Sequence, residues 1–197
     1  MSLNRRQILA CAGLFGIAAA APAMAAEKKK WPKKPSVPTD FNPEEFYVEL
    51  EEKGTGFVFG NKDAKITVRV VFDTQCPWCV WQYKEFEPYL DRVKFIWYPV
   101  AVLNPWSEIQ GAAILSAADP AKTFLEHEAH FKDEFRGLDV RGKEYPFDVR
   151  KKVWDNSKVA RRAGCISVPF SVAKLPDGRY VPLAELKGAE FAKLVGL

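Results

Sequence analysis

Residues 66–79 read ITVRVVFDTQCPWC, and this stretch decides the fold. The nearly continuous apolar run over residues 66–72 predicts a buried central strand. A helix is predicted to start at Pro77, because proline at a first helical position lacks an N–H that would have no partner there. The chain therefore passes from a buried strand into a helix at two cysteines that lie three residues apart.

These two cysteines, Cys76 and Cys79, carry the chemistry that the sequence predicts. Residues three apart on a helix share a face, with Cβ atoms roughly 5–6 Å apart, which suits a reversible disulfide. The helix start stabilises an anion, and a thiol placed there has its pKa lowered from about 8.5 to roughly 3.5–7.5. We therefore predict that Cys76 is the nucleophile and Cys79 the resolving thiol. A permanent disulfide or a zinc half-site are the alternatives for a bare C-x-x-C.

The other predicted elements alternate between strands and helices. A strand is predicted on each side of residues 66–72 in sequence, and a hairpin turns at Pro176-Asp177-Gly178. The predicted strands are 56–60, 94–100, 170–175 and 179–181, and the predicted helices are 77–91, 107–118, 120–135, 147–163 and 184–195. This order indicates an α/β fold in one domain, residues 56–197.

The residues before this domain have a different composition. Arg5 and Arg6, about 14 apolar residues and Ala23-Met24-Ala25 are typical of a cleaved signal peptide over residues 1–25, because the apolar run is too short to span a bilayer. Export to an oxidising compartment, the periplasm, is expected, and Cys11 would leave with the signal. Residues 26–55 are rich in Pro and Lys, which indicates an extended segment with a short helix at 44–52.

Composition excludes several classes of protein. Apolar residues make up 48% of the 197, which excludes a wholly disordered chain. A net charge of +4 is too small for a dedicated nucleic-acid binder. Four cysteines and two histidines are too few for a disulfide-stapled miniprotein or a protein with several zinc sites.

The strand–Cys-Pro-Trp-Cys–helix unit, followed by Val168-Pro169 before a later strand, resembles the thioredoxin fold with an inserted helical segment. Asp73 three residues before Cys76, and Pro88 within the active-site helix, are similar to the catalytic domain of the periplasmic thiol:disulfide interchange proteins of the DsbC/DsbG type. The Cys-Pro-aromatic-Cys form favours the DsbG side. Further matches lie at residues 112–115, 119–123 and 156–169.

This resemblance implies a thiol–disulfide oxidoreductase that needs no metal or organic cofactor. It implies that Pro169 is cis and that Val168, Pro169, Pro77 and Trp78 dock the substrate beside Cys76. The implied partners are exported proteins with thiols or disulfides, and a periplasmic or membrane redox partner. Neither the direction of the reaction nor the reduction potential follows from the sequence.

Three features depart from the family's pattern. Val168 stands where this group usually has Thr, and Trp78 where it usually has Tyr or a small residue. Residues 26–55 are too short to hold the family's N-terminal dimerisation domain, so a monomer with weak isomerase activity is expected. At the position where thioredoxins carry a buried carboxylate this chain has Val70, so proton transfer from such an acid is not expected.

Four further residues have competing interpretations. Cys165 is interpreted mainly as a small buried residue, with redox participation as the alternative. His127, His130 and Glu134 could bind a metal from one helix face, but a solvated amphipathic face is the favoured interpretation. For the whole protein, two rivals remain: a redox-inactive, chaperone-like binding module, and a carrier of Cu(I) or Zn(II) on Cys76 and Cys79.

Overall fold

A mixed sheet of five strands runs through the part of the chain that the structure describes. The structure, a computed structural model, describes residues 36–165 and 167–197. The predicted signal peptide, Cys11 and residues 26–35 lie outside these residues. The strands are β1 (Phe57–Gly60), β2 (Ile66–Phe72), β3 (Val93–Pro99), β4 (Phe170–Lys174) and β5 (Tyr180–Leu183).

The strand order, β1-β3-β2-β4-β5, places β2 at the centre, as its apolar sequence predicted. β2 and β3 are parallel, whereas β1, β4 and β5 each pair antiparallel to their neighbours. Because parallel strands end at the same edge of a sheet, the residues that follow β2 and those that follow β3 meet there. This edge carries Cys76.

Six α-helices accompany the sheet in the described residues. They are α1 (Pro43–Lys53), α2 (Pro77–Phe86), α3 (Pro105–Ser116), α4 (Pro120–Ala129), α5 (Phe147–Arg162) and α6 (Gly188–Val195). The helix predicted over residues 77–91 is interrupted next to Pro88: α2 ends at Phe86, and a 3-10 turn follows over Glu87–Tyr89. Within the described chain, no helix combines the length and the apolar character that crossing a bilayer requires.

Helix α1, predicted over residues 44–52, belongs to the same packed unit as the strands. Phe46, Tyr47 and Leu50 on its inner face are buried, and the Phe46 ring lies 5.8 Å from that of Phe170 on β4. The helix also packs against α5 and β5. The packed unit therefore extends before residue 56, where composition placed the start of the domain.

Helix α4 is shorter than the predicted helix over residues 120–135. It ends at Ala129, and the chain turns back so that the Gly137 N–H donates to the His130 carbonyl at 3.0 Å. Arg136 and Gly137 have φ angles of 49° and 107°, which an α-helix does not allow. A Cβ on Gly137 would lie 2.1 Å from the His127 ring, so the turn also needs a residue without a side chain.

The last helix begins four residues later than predicted, at Gly188 instead of Ala184. The Gln82 amide donates to the Leu186 carbonyl and accepts the Leu186 N–H, each at 3.0 Å. These two bonds satisfy backbone groups that a helix would otherwise use, so residues 184–187 stay outside the helix. Helix α3 begins two residues earlier than predicted, because Asn104 caps it and Pro105 occupies its first turn.

Candidate functional site

Cys76 lies at the junction that the sequence predicted, immediately before the first residue of α2. It adopts extended backbone angles, with φ −94° and ψ 115°, and Pro77 occupies the first helical position. Cys79 is one turn further along the helix, where its side chain is buried. The local cause is the sequence itself: β2 ends at Phe72, and Pro77 starts a helix four residues after Asp73.

The loop before β4 completes the site around Cys76. The Val168–Pro169 peptide bond is cis, as the resemblance implied. The Cys76 Sγ–H donates to the Val168 carbonyl oxygen at 3.3 Å. Residues 92 positions apart in sequence are thereby in direct contact. Val168 and Pro169 are buried, whereas Pro77 and Trp78 are partly exposed.

The two thiols differ in acidity. The Cys79 thiol donates to the Cys76 sulfur and, with the N–H groups of Cys79 and Trp78, lowers the pKa of Cys76 despite its burial. Burial and the neighbouring Cys76 sulfur raise the pKa of Cys79 well above its ordinary value. A thiolate is the reactive form of cysteine, so this geometry favours Cys76 as the nucleophile and keeps Cys79 protonated.

Cys165 is the third cysteine of the described residues, and all three are free thiols. Burial raises the pKa of Cys165 to about 12. The residue exposures of Cys76, Cys79 and Cys165 are 1%, 2% and 4%, so exposure does not distinguish the three. The pKa distinguishes Cys76, where it is lowered, from Cys79 and Cys165, where it is raised. Since the Cys165 thiol stays protonated and, unlike Cys79, is not paired with Cys76, packing is the interpretation of Cys165 that the structure favours.

Asp73, three residues before Cys76, carries a buried carboxylate. Its Oδ1 accepts the Gln75 N–H at 2.9 Å and the Ser107 hydroxyl at 2.6 Å. Its Oδ2 accepts the N–H groups of Val102 and Leu103 at 2.9 and 3.0 Å. The carboxylate thus joins the segment before Cys76 to the loop after β3 and to the start of α3. The sequence marks Asp73 only as a point of resemblance to the family and does not predict this role.

The residues between Asp73 and Cys76 are held by the insert, which we define as residues 105–146. The Gln75 amide donates to the Gln110 side-chain oxygen at 2.7 Å and to the carbonyls of Phe135 and Arg136 at 3.1 and 3.0 Å. His127 Nε2 lies 2.9 Å from the Thr74 carbonyl oxygen. Contacts from the insert therefore hold the two residues, Thr74 and Gln75, that lie immediately before the nucleophile.

His127 corrects one prediction, since it lies in the interior and not on a solvated helix face. Burial lowers the pKa of His127 to about 4, so the ring is neutral at neutral pH. Because a carbonyl can only accept, Nε2 carries the proton, and Nδ1 accepts the Leu138 N–H at 3.3 Å. His130 and Glu134 are exposed, and the described residues contain no group of three His, Cys, Asp or Glu side chains placed to hold a metal ion.

Aromatic side chains lie along α2 beyond the cysteines. The rings of Trp78 and Trp81 meet edge to face at 6.3 Å, and both residues are partly exposed. Tyr83 faces inward, where its ring lies 5.8 Å from that of Phe59.

Val70, at the position that carries a carboxylate in thioredoxins, is fully buried on β2. Its side chain offers no proton to either thiol.

The sheet order, the C-x-x-C at the start of α2 and the cis-proline loop define a thioredoxin-like fold with an inserted helical segment. The solved structure of the catalytic domain of Proteus mirabilis ScsC superposes with a TM-score of 0.62 at 20% identity, covering 78% of this chain and 94% of that one. No protein-family model matches the chain.

Within that fold, the chain is similar to the thiol:disulfide interchange protein DsbG of two bacteria. It is 39% identical to the Escherichia coli (strain K12) protein over 72 residues, which is 36% of this chain and 29% of the relative. It is 27% identical to the Pseudomonas aeruginosa protein over 130 residues, 65% of this chain and 50% of the relative. The matches thus span half or less of the length of these curated relatives. The chain is therefore similar to DsbG in the part that corresponds to the catalytic domain.

Proposed function

We propose that the protein is a thiol:disulfide oxidoreductase that exchanges disulfides with exported proteins through Cys76 and Cys79. The observation that carries this proposal is the pair itself: Cys79 donates a hydrogen bond to Cys76, and the pKa values of the two thiols move in opposite directions. A permanent structural disulfide needs no such asymmetry. The names of the DsbG relatives support the same activity. The predicted signal peptide over residues 1–25 supports a periplasmic location.

In the proposed reaction the Cys76 thiolate attacks one sulfur of a substrate disulfide. A bond forms between Cys76 and that sulfur, the substrate disulfide breaks, and the second substrate sulfur leaves as a thiolate that takes a proton from water. Cys79 then loses its proton to water and attacks the Cys76 sulfur. The Cys76–Cys79 disulfide forms and the first substrate sulfur leaves as a thiolate. Two electrons pass to the substrate, and the reverse sequence oxidises it.

Docking of the substrate is assigned to the surface around Cys76. The backbone of Val168 and Pro169 would align an extended segment of the substrate, because the Val168 carbonyl is already within hydrogen-bond distance of the Cys76 sulfur. Pro77 and Trp78 supply partly exposed apolar surface beside it. The redox partner that recycles the pair would use the same surface.

The test is an exchange assay with two protein substrates, insulin under reducing conditions and scrambled ribonuclease. We expect the wild-type protein to accelerate at least one of these reactions. Cys165→Ala should retain that activity, because the pKa of Cys165 is raised to about 12 and its thiol stays protonated. No effect on either substrate would contradict the proposal. Suppressed aggregation of the substrate without disulfide exchange would identify a binding module. Stoichiometric Cu(I) or Zn(II) in the purified protein, lost in Cys79→Ser, would identify a metal carrier.

A further inference from the structure

Asp73 is fully buried, and its carboxylate contacts groups that donate hydrogen bonds. Three backbone N–H groups, those of Gln75, Val102 and Leu103, and the Ser107 hydroxyl all bond to its two oxygens. Burial raises the pKa of Asp73, and these four donors oppose that rise. A set of donors of this kind suits the ionised carboxylate, because a protonated acid would have to donate from one of the same oxygens.

The backbone of Asp73 contacts both cysteines, and its N–H donates to the Cys79 sulfur. The Cys76 N–H donates to the Asp73 carbonyl at 3.0 Å. The residue that carries the carboxylate therefore also positions the backbone of the nucleophile. A negative charge near a thiol disfavours the thiolate. The Asp73 charge acts in this direction on both Cys76 and Cys79, against the hydrogen bonds that favour the Cys76 thiolate. His127, which bonds to the Thr74 carbonyl in this segment, is a further titratable side chain, and it is neutral at neutral pH.

We propose that Asp73 is an electrostatic positioning residue, a fixed, buried negative charge three residues before Cys76 that disfavours the Cys76 thiolate and so makes the Cys76–Cys79 pair a weaker oxidant. The inference rests on the proposed redox function of that pair and deepens it. The link from charge to oxidising power is direct: a thiolate that is more stable stabilises the reduced protein, and a stabilised reduced form oxidises its partners more strongly. Asp73 works against that stabilisation.

The experiment compares Asp73→Asn, which removes the charge, with Ser107→Ala, which breaks the 2.6 Å bond to the same carboxylate and leaves its charge in place. The pH dependence of Cys76 alkylation gives the thiol pKa, and equilibration with glutathione gives the equilibrium constant for disulfide formation. In Asp73→Asn we expect the Cys76 pKa to fall, and the constant to fall about tenfold, which corresponds to about 30 mV for this two-electron couple. In Ser107→Ala both should match the wild type, although both variants melt at lower temperature.

An unchanged or raised Cys76 pKa in Asp73→Asn overturns the proposal. An equal fall of the Cys76 pKa in Ser107→Ala also overturns it, because a loosened structure and not the charge would then be responsible. Asp73→Ser, whose hydroxyl can still accept the Gln75 N–H, serves if the Asn variant does not fold; if neither folds, Asp73 is a folding residue and the tuning role is withdrawn. Failure of the redox function has a different signature, since the wild type would then not equilibrate with glutathione at all, while the alkylation comparison would still measure the effect of Asp73.

Discussion

Cys79→Ser should convert the protein into a trap that stays bound to its substrates through Cys76. Removing the resolving thiol leaves the first step intact and blocks the intramolecular escape, so the mixed disulfide persists. We expect roughly tenfold more covalent adducts than with the wild type when the variant is mixed with a periplasmic extract and run on non-reducing gels. The adducts should disappear on reduction.

The matched control for the trap is the double variant Cys76→Ser/Cys79→Ser, which retains Cys165 as its cysteine among the described residues. It should form no adducts, because burial raises the pKa of Cys165 to about 12. Adducts that persist in the double variant would show that Cys165 takes part in exchange. An empty Cys79→Ser trap, beside a DsbG-type trap that captures proteins from the same extract, would count against protein substrates.

Cys76→Ser should abolish disulfide exchange, with a loss of roughly 10³-fold or more in the rate with either protein substrate. A hydroxyl at this position has no thiolate to offer, and Cys79 cannot replace it because burial holds its pKa well above the ordinary value. The fold should survive, since serine is close to cysteine in size. The measurement is the initial rate of the ribonuclease and insulin reactions, with circular dichroism and the melting temperature as checks on folding. A residual rate within tenfold of the wild type would contradict the assignment of the nucleophile.

Much of the fold could be predicted because its signals are local. β2 was predicted with its observed bounds, since seven consecutive residues of mostly β-branched and apolar character are typical of a buried strand. The end of α5 followed from Gly164, whose φ of 75° is observed. Cys76 and Cys79 were found for the same reason, because their spacing and the proline between them specify a helix start.

The contacts that hold the site could not be predicted from local patterns. Gln75 and Gln110 are 35 residues apart, and His127 is 53 residues from Thr74. Nothing in the amphipathic pattern of α4 indicates that His127 faces a backbone carbonyl. The one available signal was Gly137, because a glycine in a polar loop often marks a positive φ or a close approach. Even so, which ring occupies that space depends on tertiary packing.

The buried role of Asp73 was missed for a related reason. A polar residue after a strand is usually interpreted as a turn, and an Asp that bonds the N–H two residues on fits that pattern. The other donors come from Val102, Leu103 and Ser107, which are about 30 residues away and converge only because β2 and β3 are parallel. These contacts follow from the parallel pairing of β2 and β3, and the residue type at position 73 does not by itself indicate them.

The most direct test of the central claim is alkylation of the reduced protein by iodoacetamide as a function of pH, with each cysteine followed by mass spectrometry. Because the pKa of Cys76 is lowered, its thiolate fraction and its rate should rise at lower pH than for a free thiol and then level off. Cys165, with a pKa of about 12, is ionised in only about one molecule in 10⁵ at pH 7. Labelling of Cys76 at pH 6, with Cys79 and Cys165 unmodified, is the predicted result. Equal labelling of the three thiols, or labelling of Cys79 first, would contradict the account.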